Sequence, residues 1–208
     1  MSYCSDLTRE RIMECAKAEF LKSGFQAAQL KNIVAEAKVT TGAVYRHFKD
    51  KEALFFALIE DVYTYTLEFL DRTADMDVEG IKKSIESDSA KASYTNTMVF
   101  VNYMYDHLDE FRLLLKHSKG SRVENFIEEI TNRYAKQNTE FVRLAYEAGY
   151  AKCVPSEMEI HILTHGYISA LCECISHDVP YEEAADYIKS ITKFHHYGWY
   201  GVLGLPIN

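Results

Sequence analysis

Residues 24–54 read GFQAAQLKNIVAEAKVTTGAVYRHFKDKEAL, and the spacing of their apolar side chains predicts two short helices joined by a tight turn. Leu30, Ile33, Val34 and Ala37 fall three and four apart, one face of a helix over about Gln29 to Glu36. Val39 sits in the following turn, where it can plug the gap between the two helices. Thr40 or Thr41 can cap the second helix, because a hydroxyl satisfies an orphan N–H at its start. That helix, Thr41 to Phe48, is thin at Thr41, Gly42 and Ala43 and sends Val44 and Phe48, four apart, back toward a core. A slim helix face can press against base edges in a major groove about 12 Å wide. This is helix-turn-helix grammar, and it makes duplex DNA the first partner to consider.

The same stretch carries a more specific likeness. Gly24-Phe25, Ile33-Val34-Ala35, Ala37, Val39-Thr40, Gly42-Ala43-Val44-Tyr45, His47-Phe48 and Lys51-Glu52 with Leu54 resemble the N-terminal domain of the TetR family of transcriptional regulators. Ile12, Ala16 and Phe20 fit that family's first helix. The likeness covers roughly the first quarter of the chain; beyond it only length, helical content and the aromatic-rich end agree. It implies an all-α fold, with a three-helix DNA-binding domain over residues 1–50 and a helical effector-binding and dimerisation domain over 51–208. It also implies a function: a cytoplasmic, homodimeric, one-component regulator, a repressor released from a palindromic operator by a small-molecule effector. The competing class is a DNA-tethered module whose body binds a protein partner. Two positions depart from the family. Gln29 stands where a capping Thr or Ser is usual, and Lys38 stands where the turn usually has glycine. A lysine held at positive φ costs roughly 1 kcal/mol.

The resemblance places Thr41, Gly42, Ala43 and Tyr45 on base edges, and Lys31, Thr40, Tyr45, His47 and Lys51 on the backbone. Side-chain chemistry agrees for several. Thr and Ala can meet a thymine methyl, and Tyr can reach a base edge or a phosphate. Lys51 at a helix start opposes the macrodipole, a cost that a phosphate would reverse, unless Asp50 and Glu52 simply neutralise it. His47 is either a backbone contact or a packed core histidine, and Arg46 either a phosphate contact or solvated.

Composition sets the limits. The chain has 208 residues, 48% of them hydrophobic, with three prolines and nine glycines, which favours a helical protein with a substantial core. No apolar run is long enough to span a bilayer, and Met1 to Asp6 lacks a signal pattern, so a cytosolic protein is expected. Five cysteines without framework spacing fit a reducing compartment. Cys172 and Cys174, two apart on a helix, point to different faces and read as small apolar side chains. Net charge is −8, but the first fifty residues hold eight Lys/Arg against six Asp/Glu. A mildly basic head on an acidic body can dock on phosphates through one face. No phosphate loop, nucleophile elbow or His-Glu-x-x-His is present, and no cofactor or enzyme chemistry is expected.

Along the body, Asp50 caps a long helix to about Arg72, and the polar stretch 73–79 is the expected boundary. Helices are then expected over Ile81–His107, Leu108–Lys116, Arg122–Tyr150, Ser156–His177 and Tyr181–Leu203. The last two carry apolar stripes, with Leu163, Tyr167 and Leu171 on one and Ile188, Ile191, Phe194 and Trp199 on the other. Two such hairpins can meet as a four-helix bundle, which is also how the resembled family dimerises; otherwise both stripes are core of a single chain. Tyr94, Met98, Asn102 and Tyr105 line up on one helix and, with Phe111, Phe126, Ile130 and Tyr134, either wall an effector pocket or fill a plain core. His161 and His165 share a face with Glu157 one turn earlier, and read either as metal ligands or as hydrogen-bonding groups at the dimer seam or pocket.

Overall fold

Residues 2–72, 79, 80, 82 and 89–205 are described by a computed structural model, and these are helical without a strand. In chain order the helices are α1 (Ser2–Ala27), α2 (Leu30–Glu36), α3 (Thr41–His47), α4 (Lys51–Arg72), α5 (Ser89–Asp106), α6 (Leu108–Lys116), α7 (Phe126–Glu147), α8 (Glu157–Ser176) and α9 (Tyr181–Leu203). The expected bounds hold at α4, α6 and α9. Most of the expected boundary stretch 73–79, and the start of the helix expected from Ile81, lie outside the described residues. No helix among the described residues is long and apolar enough to cross a membrane.

The chain divides into two compact units, and the division differs from a boundary after residue 50. Unit 1 takes residues 1–65 together with 107–126; unit 2 takes 66–106 and 127–208. The first fifteen residues of α4 are as apolar on their inner face as α1, so they belong to the core of the head.

In unit 1, α1 buries Ile12, Ala16 and Phe20 completely, a stripe at i, i+4 and i+8. Phe20 meets Phe55 of α4 edge-on at 5.0 Å between ring centroids, and Phe25 meets Phe55 at 5.2 Å. Leu54, Leu58, Ile59 and Val62 extend this core along α4, and α6 closes it with Phe111, Leu113 and Leu114. Gly24 interrupts α1 with φ 72° and ψ 161°, a conformation open to glycine. The break turns the chain so that Phe25 N–H donates to the His117 carbonyl at 2.7 Å.

In unit 2, α9 packs along α5 and against α8. Val101, Cys174, Ala184 and Ile188 form one core, with Tyr94, Met98 and Tyr105 of α5 packed on it. A second core joins Val142, Ala145, Ile160, Leu203 and Leu205. Cys172 and Cys174 are both buried and free, and burial pushes the Cys172 thiol up to about 12, as the apolar reading of the pair requires. Ser156 and Glu159 form a capping box at the start of α8.

Candidate functional site

The head presents α3 on a small scaffold. Ile33, Ala37, Val44 and Phe48 are buried and fix α2 and α3 against the core. In the turn, Val39 is half-buried, and its N–H donates to the Val34 carbonyl at 3.2 Å. Lys38 takes φ 52°, so the lysine occupies the left-handed conformation that glycine usually fills. Thr40 is the N-cap of α3, its hydroxyl accepting from Ala43 N–H at 3.2 Å. Gln29 supplies no cap to α2. Glu19 of α1 instead holds the entry to the helix, accepting from Gln29 N–H at 3.0 Å and from the Asn32 side-chain Nδ2 at 2.9 Å. The backbone hydrogen bond from Gln29 holds the Glu19 carboxyl below its ordinary range.

Outward, Lys31, Thr40, Thr41, Gly42, Tyr45 and Arg46 are exposed, while Ala43 and His47 are half-buried. Tyr45, 53% exposed, is a large ring with its face in solvent. A Cβ at Gly42 would come no closer than 3.9 Å to any neighbour, so packing within the chain does not call for glycine there. Lys51 is placed differently from the rest. Its ammonium donates to the carbonyls of Phe25 (2.7 Å), Ala28 (3.2 Å) and Gln26 (3.4 Å) and lies 4.6 Å from the Phe25 ring centroid. The carbonyls at the end of α1 offset the cost of a cation at the start of α4, the part the sequence reading gave to a phosphate.

Unit 2 holds a cavity of about 500 Å³, open on one side and within the range of small-molecule sites. The last turns of α4 (Thr66, Phe69, Leu70), one face of α5 (Ser93, Asn96, Thr97, Phe100), α7, α8 and α9 form its wall. Of the nine expected pocket residues, Ile130 and Tyr134 line it. Tyr94, Met98 and Tyr105 lie on another face of α5, against the α8–α9 core, and Asn102 accepts from the Tyr181 hydroxyl at 2.8 Å. Tyr105 donates to the Val179 carbonyl at 2.8 Å, and burial pushes its hydroxyl up to about 12. Phe111 and Phe126 belong to unit 1, where Phe126 packs on Tyr63. His165 is exposed on α8 and pairs with Ser169 at 3.4 Å. His161 stacks on His165 at 6.3 Å and approaches Glu128 at 3.8 Å.

Three residues expected at a dimer seam line the cavity instead: Tyr167, Leu171 and Trp199. Ile188 is fully buried within the unit and Ile191 half-buried, whereas Leu163 and Phe194 are exposed, Phe194 by 78%. The exposed apolar face of α8 and α9 includes Ile162 (60%) and Tyr197, which the stripe reading missed. Spacing shows it in retrospect: Phe194, Tyr197 and Gly201 fall three and four apart.

Polar groups in the cavity are ordered by their neighbours. Thr97 donates to the Ser93 carbonyl at 2.9 Å, so at 2.8 Å it accepts from the Tyr167 hydroxyl. The Tyr167 ring stacks on His195 at 3.9 Å. Trp199 donates Nε1–H to His195 Nε2 at 2.9 Å, and burial lowers the His195 pKa to about 4, so the ring is neutral. Gln137 donates to the Leu70 carbonyl at 3.0 Å. Thr97, Gln137 and His195 had no signal in the sequence beyond being polar residues within apolar helices.

Unit 1 thus carries a helix-turn-helix with an exposed outward face, and unit 2 a cavity of ligand size. Residues 12–58 match the profile described as "Bacterial regulatory proteins, tetR family". YfiR of Bacillus subtilis (strain 168), named an uncharacterised HTH-type transcriptional regulator, is 33% identical over 70 residues, 34% of either chain. The match thus spans about a third of that relative's length. A TetR-like transcriptional regulator from Rhodococcus sp. RHA1 superposes with a TM-score of 0.60 at 14% identity, covering 95% of this chain and 96% of that one. NalD of Pseudomonas aeruginosa, the secondary repressor of the MexAB-OprM multidrug efflux pump, superposes with a TM-score of 0.57 at 18% identity, covering 93% and 96%. These two likenesses show the fold from end to end.

Proposed function

We propose that the chain is a cytoplasmic, homodimeric, ligand-responsive repressor that reads a palindromic operator through α3. The observation that carries this is the outward face of α3: Thr41, Gly42 and Tyr45 are exposed, and the open space at Gly42 leaves the face free for a base edge. Two copies are needed to read two half-sites about 34–36 Å apart. The exposed apolar face of α8 and α9 supports such a pairing. Gly166, Gly198 and Gly201 lie on these helices with nothing within 4 Å of a Cβ position, so the chain's own packing explains none of the three. Helical glycines cost roughly 1 kcal/mol each, and the close approach of a second copy gives them a reason.

The effector site of this reading is the cavity. Thr66, Phe69 and Leu70 place the end of α4 in its wall, and Lys51 ties the start of α4 to the end of α1. A ligand that favours one position of α4 therefore changes the spacing of the two heads. By linkage DNA then weakens ligand binding by the same factor. A cavity of about 500 Å³ favours a small molecule over a protein partner for the body.

The test is titration of the purified protein onto DNA upstream of its own gene. Saturable binding is expected, with Tyr45→Ala weakening it roughly 10- to 100-fold at unchanged stability. Equal affinity for any duplex of the same length contradicts the reading.

A further inference from the structure

The cations of the chain are engaged unequally. On α7, Arg133 reaches Asp71 at 2.9 Å and Arg143 reaches Glu147 at 2.7 Å. In the head, Lys17 pairs with Glu110, and the Lys51 ammonium is taken up by the carbonyls at the end of α1. Arg9, Arg46 and Lys49 are exposed, and among the described residues none of the three makes a hydrogen bond or an ion pair within the chain. Asp50, next to Lys49, is turned to the start of α4, where it accepts from Ala53 N–H at 2.7 Å.

Arg9 differs from the other two in being held in place by another helix. Its guanidinium carbon lies 5.3 Å from the centroid of the Phe48 ring, and a cation over an aromatic ring is attracted by the ring's quadrupole. Phe48 is the C-cap of α3, is itself buried, and donates its N–H to the Val44 carbonyl at 2.9 Å. The ring therefore ties a cation of α1 to the C-terminal end of α3. Arg46 and His47 stand in the last turn of that helix, and Lys49 follows it. A ring contact consumes none of the five guanidinium N–H donors, so they remain for an acceptor. The acceptor that matches them in charge and in fork geometry, and that a helix-turn-helix meets at the edge of a groove, is a phosphate.

We propose that Arg9, carried on α1 outside the helix-turn-helix, is a phosphate contact: with α3 in the major groove, it grips the backbone strand that passes the C-terminal end of that helix. This rests on the reading of α3 as the operator-reading helix. It also answers the fate of Lys51. The cation expected on a phosphate there is spent on carbonyls, and Arg9 supplies the charge from another helix. Because the Phe48 ring orders the guanidinium before DNA arrives, less side-chain freedom is lost on contact. A phosphate carries no base identity, so Arg9 adds affinity and fixes register without choosing the sequence.

Two full-length variants test it. Arg9→Met keeps an unbranched stem on the Phe48 ring and removes the charge; Arg9→Lys keeps the charge. Each is titrated over a series of salt concentrations onto the duplex from upstream of the protein's own gene and onto a scrambled duplex of the same length, at a temperature where it is folded by circular dichroism. Arg9→Met is expected to weaken both duplexes by a similar factor, roughly fivefold. Its logarithmic salt slope should be shallower by about one unit for each bound copy. Arg9→Lys is expected to keep the wild-type slope. An unchanged slope for Arg9→Met overturns the proposal. So does a loss confined to the upstream duplex, which is the result if Arg9 only steadies α3 through Phe48. A slope for Arg9→Lys as shallow as that of Arg9→Met overturns it too, because charge would not be the basis. If the wild type binds the two duplexes equally, the operator reading fails, and the slope difference still decides the assignment of Arg9.

Discussion

Helices α3 and α5 each press one stripe into a core and use the opposite face in contrasting ways. α3 is seven residues long; Val44 goes under, and Thr41, Gly42 and Tyr45 stand in solvent. α5 is eighteen residues long; Tyr94, Met98, Val101 and Tyr105 join the α8–α9 core, and Asn96, Thr97 and Phe100 become cavity wall. The outer face of α3 is complete within one helix, and a turn and a cap start it. The inner face of α5 has no meaning until four other helices close around it. An outward helix face is thus a local feature, and a cavity is a property of the assembled unit.

The head's local device still needs a floor. Phe20, Phe25 and Phe55 form that floor, and Phe20 is completely buried. Phe20→Ala is expected to cost about 3–5 kcal/mol, read as a fall in the denaturation midpoint of the head, with DNA binding lost alongside. A loss below about 1 kcal/mol would mean that α3 is aimed without this ring cluster.

The cavity wall holds a histidine whose titration folding shifts. Folding lowers the His195 pKa from 6.5 to about 4 through burial, with His196 adding a smaller push in the same direction. The unfolded chain therefore takes up the proton first. Stability from the neutral ring is fully present above pH 6.5 and is lost as pH falls toward about 4. The span is worth up to roughly 3 kcal/mol. Denaturant midpoints across that window, for the wild type and His195→Phe, should differ in slope, the variant being flatter. Phenylalanine keeps a ring on Tyr167 but strands the Trp199 N–H, so the slope and not the absolute stability is the readout. Parallel slopes would show that His195 does not titrate in the window.

The same contrast governs what could be read from the chain beforehand. Thr40 as a cap, Val44 and Phe48 as anchors, and the bounds of α4, α6 and α9 follow from neighbours within a turn or two in sequence. The cavity face of α5 does not. Both faces of that helix carry aromatic and small polar residues at helical spacing, and packing of α9 along one of them decides which remains for the cavity. Tyr167 and Trp199 pose the same difficulty: an aromatic stripe serves equally well against a second chain or around a void. Lys51 was legible as a cation at a helix start, but its carbonyl partners come from the end of α1, some twenty-five residues earlier. Gly166, Gly198 and Gly201 have open space around them, and exposure located their surface better than hydrophobicity.

Two smaller substitutions probe the reading device itself. Thr40→Ala removes the hydroxyl that accepts from Ala43 N–H and should cost about 1 kcal/mol of stability, with a matching loss of affinity if α3 frays on DNA. Unchanged stability would show that the Thr40 hydroxyl does not hold the start of α3.

The smallest effect is expected at Lys38, and its sign is the informative part. The residue is exposed, sits at φ 52°, and donates its N–H to the Ala35 carbonyl at 3.2 Å. Lys38→Gly removes the clash that a Cβ suffers in that conformation, worth roughly 1 kcal/mol. Glycine also loses more backbone freedom on folding, which leaves a net gain of about 0.5 kcal/mol. A measured loss of stability would show that the turn is not strained. The lysine also sits beside the reading helix, where it either contacts a phosphate or stays solvated. Contact predicts that the variant's logarithmic salt dependence on specific DNA falls by about one unit; a solvated side chain predicts no change. A gain in stability together with the lower slope would show that the turn tolerates backbone strain in order to keep a cation against the duplex.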